Sequence, residues 1–123
     1  LLVINVNTID RFDFRDATEY ALSFDDGNTI YAFDRAGSSV LLFQYYSKNA
    51  VDDRILKLHV VAVNGNDELY PIEKLGLEQG YVLIISKNRG EASEYEAYLR
   101  TTHEVAAEKE FKDVKVVVFE ASS

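Results

Sequence analysis

The sequence predicts an all-β fold, an antiparallel β-sandwich of about eight to ten strands. Apolar and polar residues alternate with a period of two over most of the chain, as in strands that bury one face. Turn-forming clusters of Gly, Asn, Asp and Ser recur at intervals of roughly 8 to 12 residues, which is typical of sandwiches and barrels. The chain also contains 8 tyrosines and 7 phenylalanines, which favour strands. Its 123 residues suit one domain, residues 1–123.

In the first half of the chain, the strands follow from alternation and from the turns between them. Phe12 and Phe14 share one face of a short charged segment. The sequences DDGN at 25–28 and AGSS at 36–39 are turn signals. The run VLLFQYY at 40–46 is assigned to a strand for its aromatic and β-branched content. The predicted strands are residues 11–15, 18–24, 29–34, 40–46 and 54–63.

In the second half, the strongest hairpin signal is NGND at 64–67. The run YVLIIS at 81–86 is apolar on both faces, which indicates a central strand between packed layers, and KVVVF at 115–119 is a further strand. These three features support the sandwich. The residues predicted to be buried in its core are Phe24, Phe33, Leu42, Leu58, Val60 and Ile84.

Residues 91–111 carry a mixed signal, because they are rich in helix-forming residues. Tyr95 and Leu99 would lie on one helical stripe, but they also share one face of a strand. A strand over 94–102 is favoured and a helix is the alternative. Residues 105–111 are expected to form a loop or one short helical turn.

Composition excludes several classes of function. The formal net charge is −8 and the pI is about 4.7, which disfavours binding to nucleic acid or to an anionic membrane. Cysteine is absent, so disulfides and cysteine nucleophiles are excluded. No run approaches the roughly 18 apolar residues of a membrane span. Methionine is also absent, and we expect a processed chain or part of a larger chain.

Three stretches of the chain resemble the bacterial pre-peptidase C-terminal domains. GNTIYAFDRAGSSVLLFQYY resembles that family's aromatic strand, glycine turn and apolar strand. LKLHVVAVNGNDEL is similar to its strand and hairpin, and LEQGYVLIISKNRGEASEYEAYL to its closing pair of strands. The resemblance spans roughly residues 18–102. It implies a jelly-roll sandwich appended to a secreted hydrolase or surface protein. Such domains are not catalytic; they bind substrate or matrix or support secretion, and some bind calcium.

Catalytic motifs are absent from the sequence. The two histidines, His59 and His103, have no nucleophile or carboxylate at a recognisable spacing, and no GxSxG motif occurs. No glycine-rich phosphate-binding motif is present either. The sequence therefore predicts a protein that is not an enzyme, with both histidines in structural roles.

Calcium is the one cofactor that the residue pattern suits, because oxygen-rich turns provide the ligands that this ion prefers. The same Asn, Asp and Gly residues are also what tight turns require, and that simpler interpretation is favoured. The candidate metal ligands are Asp25, Asp26 and Asn28, then Asp52 and Asp53, then Asn64, Asn66 and Asp67.

Exposed tyrosines provide the candidate ligand-binding surface. Tyr45 and Tyr46 are adjacent on a predicted strand and therefore face opposite sides, while Tyr98 lies on the polar face of its strand. Tyrosines exposed on a sheet can stack against polysaccharide or an extended peptide.

Together these observations predict a non-catalytic accessory or binding domain of a secreted or cell-surface protein. Its sheet face or loops would meet a polysaccharide, extracellular matrix or a protein partner, without binding nucleic acid or inserting into a membrane. The alternative is a structural or assembly module, such as a surface-layer, capsid or pilus subunit, that acts through strand edges or faces.

Overall fold

A computed structural model describes residues 13–87 and 93–121. Over these residues the chain forms a mixed α/β fold with three α-helices, a five-stranded sheet and a separate two-stranded sheet. The predicted all-β antiparallel sandwich is therefore wrong, and so is the jelly roll that the family resemblance implied.

The elements have the following bounds. The helices are α1 over residues 13–22, α2 (Ser38–Ser47) and α3 (Glu94–Thr102). The strands are β1 (Ile30–Phe33), β2 (Ile55–Lys57), β3 (His59–Val60), β4 (Glu68–Leu69), β5 (Tyr81–Ser86), β6 (Glu104–Glu110) and β7 (Val114–Glu120). Single 3-10 turns cover Asp52–Arg54 and Ile72–Lys74.

The large sheet has the strand order β2-β1-β5-β7-β6. Strand β1 is parallel to both of its neighbours, with Ala32 paired to Leu56 of β2 and to Leu83 of β5. Strand β7 is antiparallel to β5 and to β6. Strands β3 and β4 form an antiparallel hairpin outside this sheet.

Helices cover both faces of the central strands. On one face, Tyr31 and Phe33 of β1 belong to the same buried cluster as Phe43 of α2 and residues of α1. On the other face, Leu83 of β5 belongs to a buried cluster with Leu99 of α3. Successive residues of a strand point to opposite faces, so the two clusters lie on the two sides of the sheet. The fold therefore has three layers, helix–sheet–helix.

The segment predicted as a strand over 40–46 is helix α2. Val40, Phe43 and Ser47 are its buried residues along with Ser39, which is helical spacing. A short apolar run does not distinguish a strand from a buried helix by periodicity alone. The parallel pairing of β1 with β2 decides the matter, because parallel neighbours need a crossover connection and a helix is the usual one.

The predicted strands at 18–24 and 94–102 are also helical. In α1, Phe14, Ala17 and Ala21 are buried at spacings of three and four residues. The predicted strand at 11–15 falls partly outside the described residues, and its residues 13–15 belong to α1. In α3, Tyr95 and Leu99 form the buried stripe of the helical alternative, and the Ser93 side chain caps the helix by accepting from the Glu96 N–H.

The loop or helical turn expected over 105–111 is mostly strand β6. Its residues have little strand propensity, and tertiary pairing with β7 overrides that local preference. A β-bulge lies between Val105 and Ala107, and the strand is exposed along most of its length.

Other predictions are confirmed. The strands at 29–34, 81–86 and 115–119 appear as β1, β5 and β7, and NGND lies in the β3–β4 hairpin. Strand β5 is buried on both faces from Tyr81 to Ile85. Of the predicted core, Phe33, Leu58 and Ile84 are buried, whereas Phe24, Leu42 and Val60 are half-buried. Within the described ranges, no helix combines the length and the apolar character needed to cross a bilayer.

Candidate functional site

A crevice opens at the ends of β1 and β5, where the helices that follow these strands, α2 and α3, pack on opposite faces of the sheet. The two strands are parallel neighbours, so their carboxyl ends meet at one edge. The chain after β1 enters α2 on one face, and the chain after β5 leads to α3 on the other face. In open α/β sheets this divergence creates the crevice in which ligands bind.

The crevice contains an open groove of about 570 Å³. One wall is the β1–α2 loop with the first turn of α2, and the opposite side is formed by Ser86 at the end of β5 and by Val61 of the hairpin. The lining residues are Arg35, Ala36, Gly37, Ser38, Ser39, Val61 and Ser86.

Helix α2 begins at this groove without a capping side chain. Gly37 is the N-cap residue and has no side chain to cap the helix, and the first turn contains no acidic residue. A Cβ atom placed on Gly37 would meet no heavy atom within 4 Å, so the backbone faces open space. The first N–H groups of a helix lack partners inside the helix and carry the positive end of its dipole. This end of α2 therefore presents hydrogen-bond donors to a negatively charged group.

A buried carboxylate, that of Asp34, directly precedes the residues that line the groove. Asp34 follows β1 directly, is 2% exposed, and donates its backbone N–H to the Ile84 carbonyl at 3.1 Å. The Ser93 hydroxyl donates to Asp34 Oδ1 at 2.6 Å while its oxygen accepts from the Glu96 N–H at 3.1 Å. One hydroxyl thus links the end of β1 to the first turn of α3.

Arg35 brings a positive side chain to the groove. Within the described part of the chain, its guanidinium forms neither a hydrogen bond nor an ion pair. It acts at a distance on Asp67, whose pKa is lowered first by the hydrogen bond to His59 and in smaller part by the charge of Arg35. The guanidinium therefore remains available to a bound anion.

The β3–β4 hairpin forms the outer wall of the crevice. The Ala36 N–H donates to the His59 carbonyl at 2.8 Å, and Ala36 forms an isolated parallel bridge with Val60. The His59 ring Nε2 lies 2.8 Å from Asp67 Oδ2, and the Ala62 N–H donates to Asp67 Oδ1 at 3.3 Å. These contacts attach the hairpin to the loop that lines the groove.

The structure brings two of the three predicted metal-ligand turns together, but an arginine lies between them. Asp25 accepts two hydrogen bonds from Arg54, at 2.5 and 3.1 Å, and the first of these contacts is the main cause of the lowered pKa of Asp25. Asp52 and Asp53 precede Arg54 in the same 3-10 turn. The cation that Asp25 binds is therefore the side chain of Arg54.

The carboxylate of Asp26 closes its own turn. Its Oδ1 accepts from the Asn28 N–H at 2.9 Å and from the Thr29 hydroxyl at 2.8 Å. The first of these bonds is the main cause of the lowered pKa of Asp26. The Asp26 side chain thus stabilises the turn, which is a common structural role of Asn and Asp.

The third predicted turn lies at the opposite end of the parallel strands, the carboxyl end. Residues 64–67 follow β2, whereas residues 25–28 precede β1, and the two strands are parallel. Asn64 accepts from the Asn66 N–H, and Asp67 pairs with His59. Across residues 13–87 and 93–121, no three His, Asp or Glu side chains converge as they would around a metal ion. Calcium binding stays a prediction.

The three candidate tyrosines lie on helices and not on strands. Tyr45 of α2 is 74% exposed, and its ring centroid lies 5.1 Å from that of Tyr46. Tyr46 packs against the core on the α2 side, and Tyr98 packs against the cluster on the α3 side. They sit on opposite faces of the sheet and do not form one stacking surface.

A larger groove of about 840 Å³ lies at the amino ends of the parallel strands, but its buried polar group is already satisfied. His103 Nε2 lies 3.0 Å from the carbonyls of Gly76 and Gln79, and Nδ1 lies 2.8 Å from the Thr102 hydroxyl. The ring also packs edge-on against Tyr81 and Phe119. His103 is therefore a structural residue that joins the 76–79 loop to the end of α3.

The sequence does not predict the crevice, because AGSS at 36–39 also fits a turn between two strands. The available signal was a buried strand, a glycine and then a run that also fits helical spacing. That order is typical of a strand–loop–helix unit with a ligand site at the helix start.

Comparison with known protein families, with curated proteins and with solved structures gave no match. Nothing in these comparisons therefore supports membership of the pre-peptidase C-terminal family.

Proposed function

We propose that this domain is a binding module that takes a small ligand with an anionic group, such as a phosphate, in the crevice between β1 and β5. The observation that supports this proposal most strongly is the packing of α2 and α3 on opposite faces of the sheet, which opens the crevice at the uncapped start of α2. Helix N–H groups and the Arg35 side chain would hold the anion there.

The chemistry of the groove supports an anion more than a cation. The chain carries a net charge of −8, yet among the described residues those that line this groove include one arginine and no carboxylate. Asp34 lies beneath the groove, where Ser93 occupies one of its oxygens. A positive local field in an acidic protein attracts negatively charged ligands selectively.

This proposal keeps the class of function that the sequence predicts and changes the site. A non-catalytic role, an extracellular or cell-surface location and a larger parent chain remain predictions. A binding surface on a sheet face loses its basis, because helices cover both faces of the central strands. Presentation of a ligand site by loops fits the crevice.

The assembly alternative meets a structural obstacle at the edge strand β6. This strand contains a bulge and carries Glu104, Glu108 and Glu110 along its exposed length. Bulges and charges on an edge strand oppose pairing with another strand.

The test is a titration of the ¹⁵N-labelled chain with inorganic phosphate and pyrophosphate, at ionic strength matched with chloride. We expect saturable shifts of the Ser38 and Ser39 amide signals. A Gly37→Asp variant places a carboxylate at the helix start. We expect at least a tenfold weaker apparent affinity for phosphate, because the carboxylate competes for the helix N–H groups and repels the phosphate.

Two matched controls sharpen this test. Gly37→Ala should bind as the native chain does, since its Cβ meets open space and the φ of 177° is extended backbone. Arg35→Gln should weaken binding, whereas Lys48→Gln at the opposite end of α2 should not. Equal affinity in Gly37→Asp and Gly37→Ala, or no saturable shifts at all, would refute the proposed site.

A further inference from the structure

The β3–β4 hairpin is fixed firmly at its base. Leu58 is fully buried, and its N–H donates to the Phe33 carbonyl at 2.9 Å. Its carbonyl accepts from the Tyr70 N–H at 2.7 Å, which closes the base of the hairpin. The Tyr95 hydroxyl of α3 lies 3.1 Å from the Leu58 carbonyl and 2.8 Å from the Tyr70 carbonyl, so its single proton is shared between both sides of the base.

The arm of the hairpin, residues 59–69 beyond this base, is held together by a short ladder and is largely exposed. Its ladder has two residue pairs, His59 with Leu69 and Val60 with Glu68. Residues 63–69 are exposed, and Val63 at the tip is fully exposed. A segment with few buried apolar contacts opens at a lower free energy than the core.

The arm is nevertheless stiff within itself. Asp67 bonds to both the His59 ring and the Ala62 N–H, and the Gly65 N–H donates to the Ala62 carbonyl at 3.1 Å. These bonds join the two sides of the hairpin. Motion about the base would therefore carry the arm as a unit.

A backbone hydrogen bond fastens the arm to the loop that lines the crevice. The donor is the N–H of Ala36, which lines the groove, and the acceptor is the His59 carbonyl. Val61, two residues further along the arm, also lines the groove. Displacement of the arm would break this bond and widen the crevice on that side.

We propose that the hairpin is a hinged flap over the crevice, pivoting at Leu58 and Tyr70 under the Tyr95 clamp and latched by the bond from Ala36 to His59. The flap controls access to the ligand site, and in that respect it rests on the proposed function. The hinge and the latch are properties of the chain without ligand.

Amide hydrogen exchange, followed by NMR on the full chain without ligand, tests the flap. We expect the Ala36 amide to exchange at least tenfold faster than the amides of Tyr70 and of β5, because opening of the flap releases it without global unfolding. In Tyr95→Phe, the Tyr70 amide should exchange roughly five- to tenfold faster, since the shared hydroxyl proton is lost. The β5 amides should change less than the Tyr70 amide does.

Tyr98→Phe on the same helix is the matched control and should cause no selective change at Ala36 or Tyr70. Exchange of Ala36 at the rate of the β5 amides would overturn the flap, and so would a uniform acceleration in Tyr95→Phe. Adding inorganic phosphate then separates the two proposals. If phosphate slows exchange of the Ala36 amide, the flap is coupled to the ligand site. If Ala36 exchanges selectively fast but phosphate does not bind, the hinge is supported and the anion site is refuted.

Discussion

The two ends of the parallel strands differ in how their polar groups are used. At the amino ends, Asp25 and Arg54 satisfy each other, and both ring nitrogens of His103 have partners. At the carboxyl ends, α2 begins without a capping side chain, and Arg35 faces an open groove. Both ends contain a concavity, and the larger one lies at the amino ends.

The larger of these two grooves is therefore the one whose polar groups already have partners in the protein. Polar groups that already bond to one another hold the chain together and offer a ligand little. Donors that remain directed at a groove can bind a ligand without first breaking a bond in the protein.

Leu58→Ala should reduce the free energy of unfolding by about 2–5 kcal/mol, because it leaves a cavity beneath the carboxyl end of the sheet. Leu58 is fully buried there. Urea unfolding followed by circular dichroism measures the loss. Leu69→Ala, at a 64% exposed position of the same hairpin, is the control and should cost less than about 0.5 kcal/mol. A cost for Leu58→Ala as small as that of the control would contradict the assigned packing.

His103→Phe should reduce the free energy of unfolding by about 1–3 kcal/mol, because the ring packing is kept while the carbonyls of Gly76 and Gln79 lose their partner. Phosphate affinity at the other end should be unchanged. Thermal unfolding and the amide titration measure the two quantities. If phosphate binding weakened while stability stayed the same, the division between the two ends would be wrong.

Stability should fall as the pH is lowered through the range in which Glu96 gains a proton. Burial alone would raise the pKa of Glu96, but hydrogen bonds from Lys115 and Arg100 lower it below its ordinary value of 4.5. A lowered pKa in the folded state means that the stabilisation is fully present above pH 4.5 and is lost as the pH falls through the lower folded value.

The measurement is urea unfolding at intervals between about pH 7 and pH 3. Glu96→Gln should show a shallower fall than the native chain, because it removes the titrating group that joins α3 to β7 through Lys115. Glu94→Gln, at the exposed start of the same helix, should follow the native curve. Parallel curves for Glu96→Gln and the native chain would show that this carboxylate contributes nothing to the pH dependence.

Calcium should have the smallest effect. We expect millimolar calcium to raise Tm no more than a chloride control of equal ionic strength, because Asp25 and Asp67 already have partners in Arg54 and His59. Differential scanning calorimetry measures the shift. A calcium-selective rise of several degrees would establish an ion site, and its loss in Asp26→Ala or in Asp67→Ala would locate that site.

Strands and turns with strong local signals could be predicted from the sequence. YVLIIS is too short for a typical helix and apolar at every position but the last, so it indicates a strand buried on both faces, as β5 is. Such burial also occurs in the central strand of a three-layer α/β fold. The run itself therefore does not separate that fold from a sandwich.

The helices could not be assigned from the sequence in the same way, because the spacing of their apolar residues fits both the helical period of 3.6 and the strand period of 2. Tyr95 and Leu99 share a face at a spacing of four in a helix and also in a strand. The capping bond from the Glu96 N–H to Ser93 and the packing of Leu99 against the sheet favour the helix. Only the second of these involves residues distant in sequence.

The sequence by itself determined the central strands, the turn residues and the absence of cysteine chemistry, because each depends on residue type and near neighbours. Tertiary structure alone decided that 40–46 is a helix and that β6 is a strand, because parallel pairing of β1 with β2 and pairing of β6 with β7 outweigh local propensity. The crevice belongs to the second group. It exists because α2 and α3 pack on opposite faces of the sheet, a relation between two helices that residues 48–93 separate along the chain.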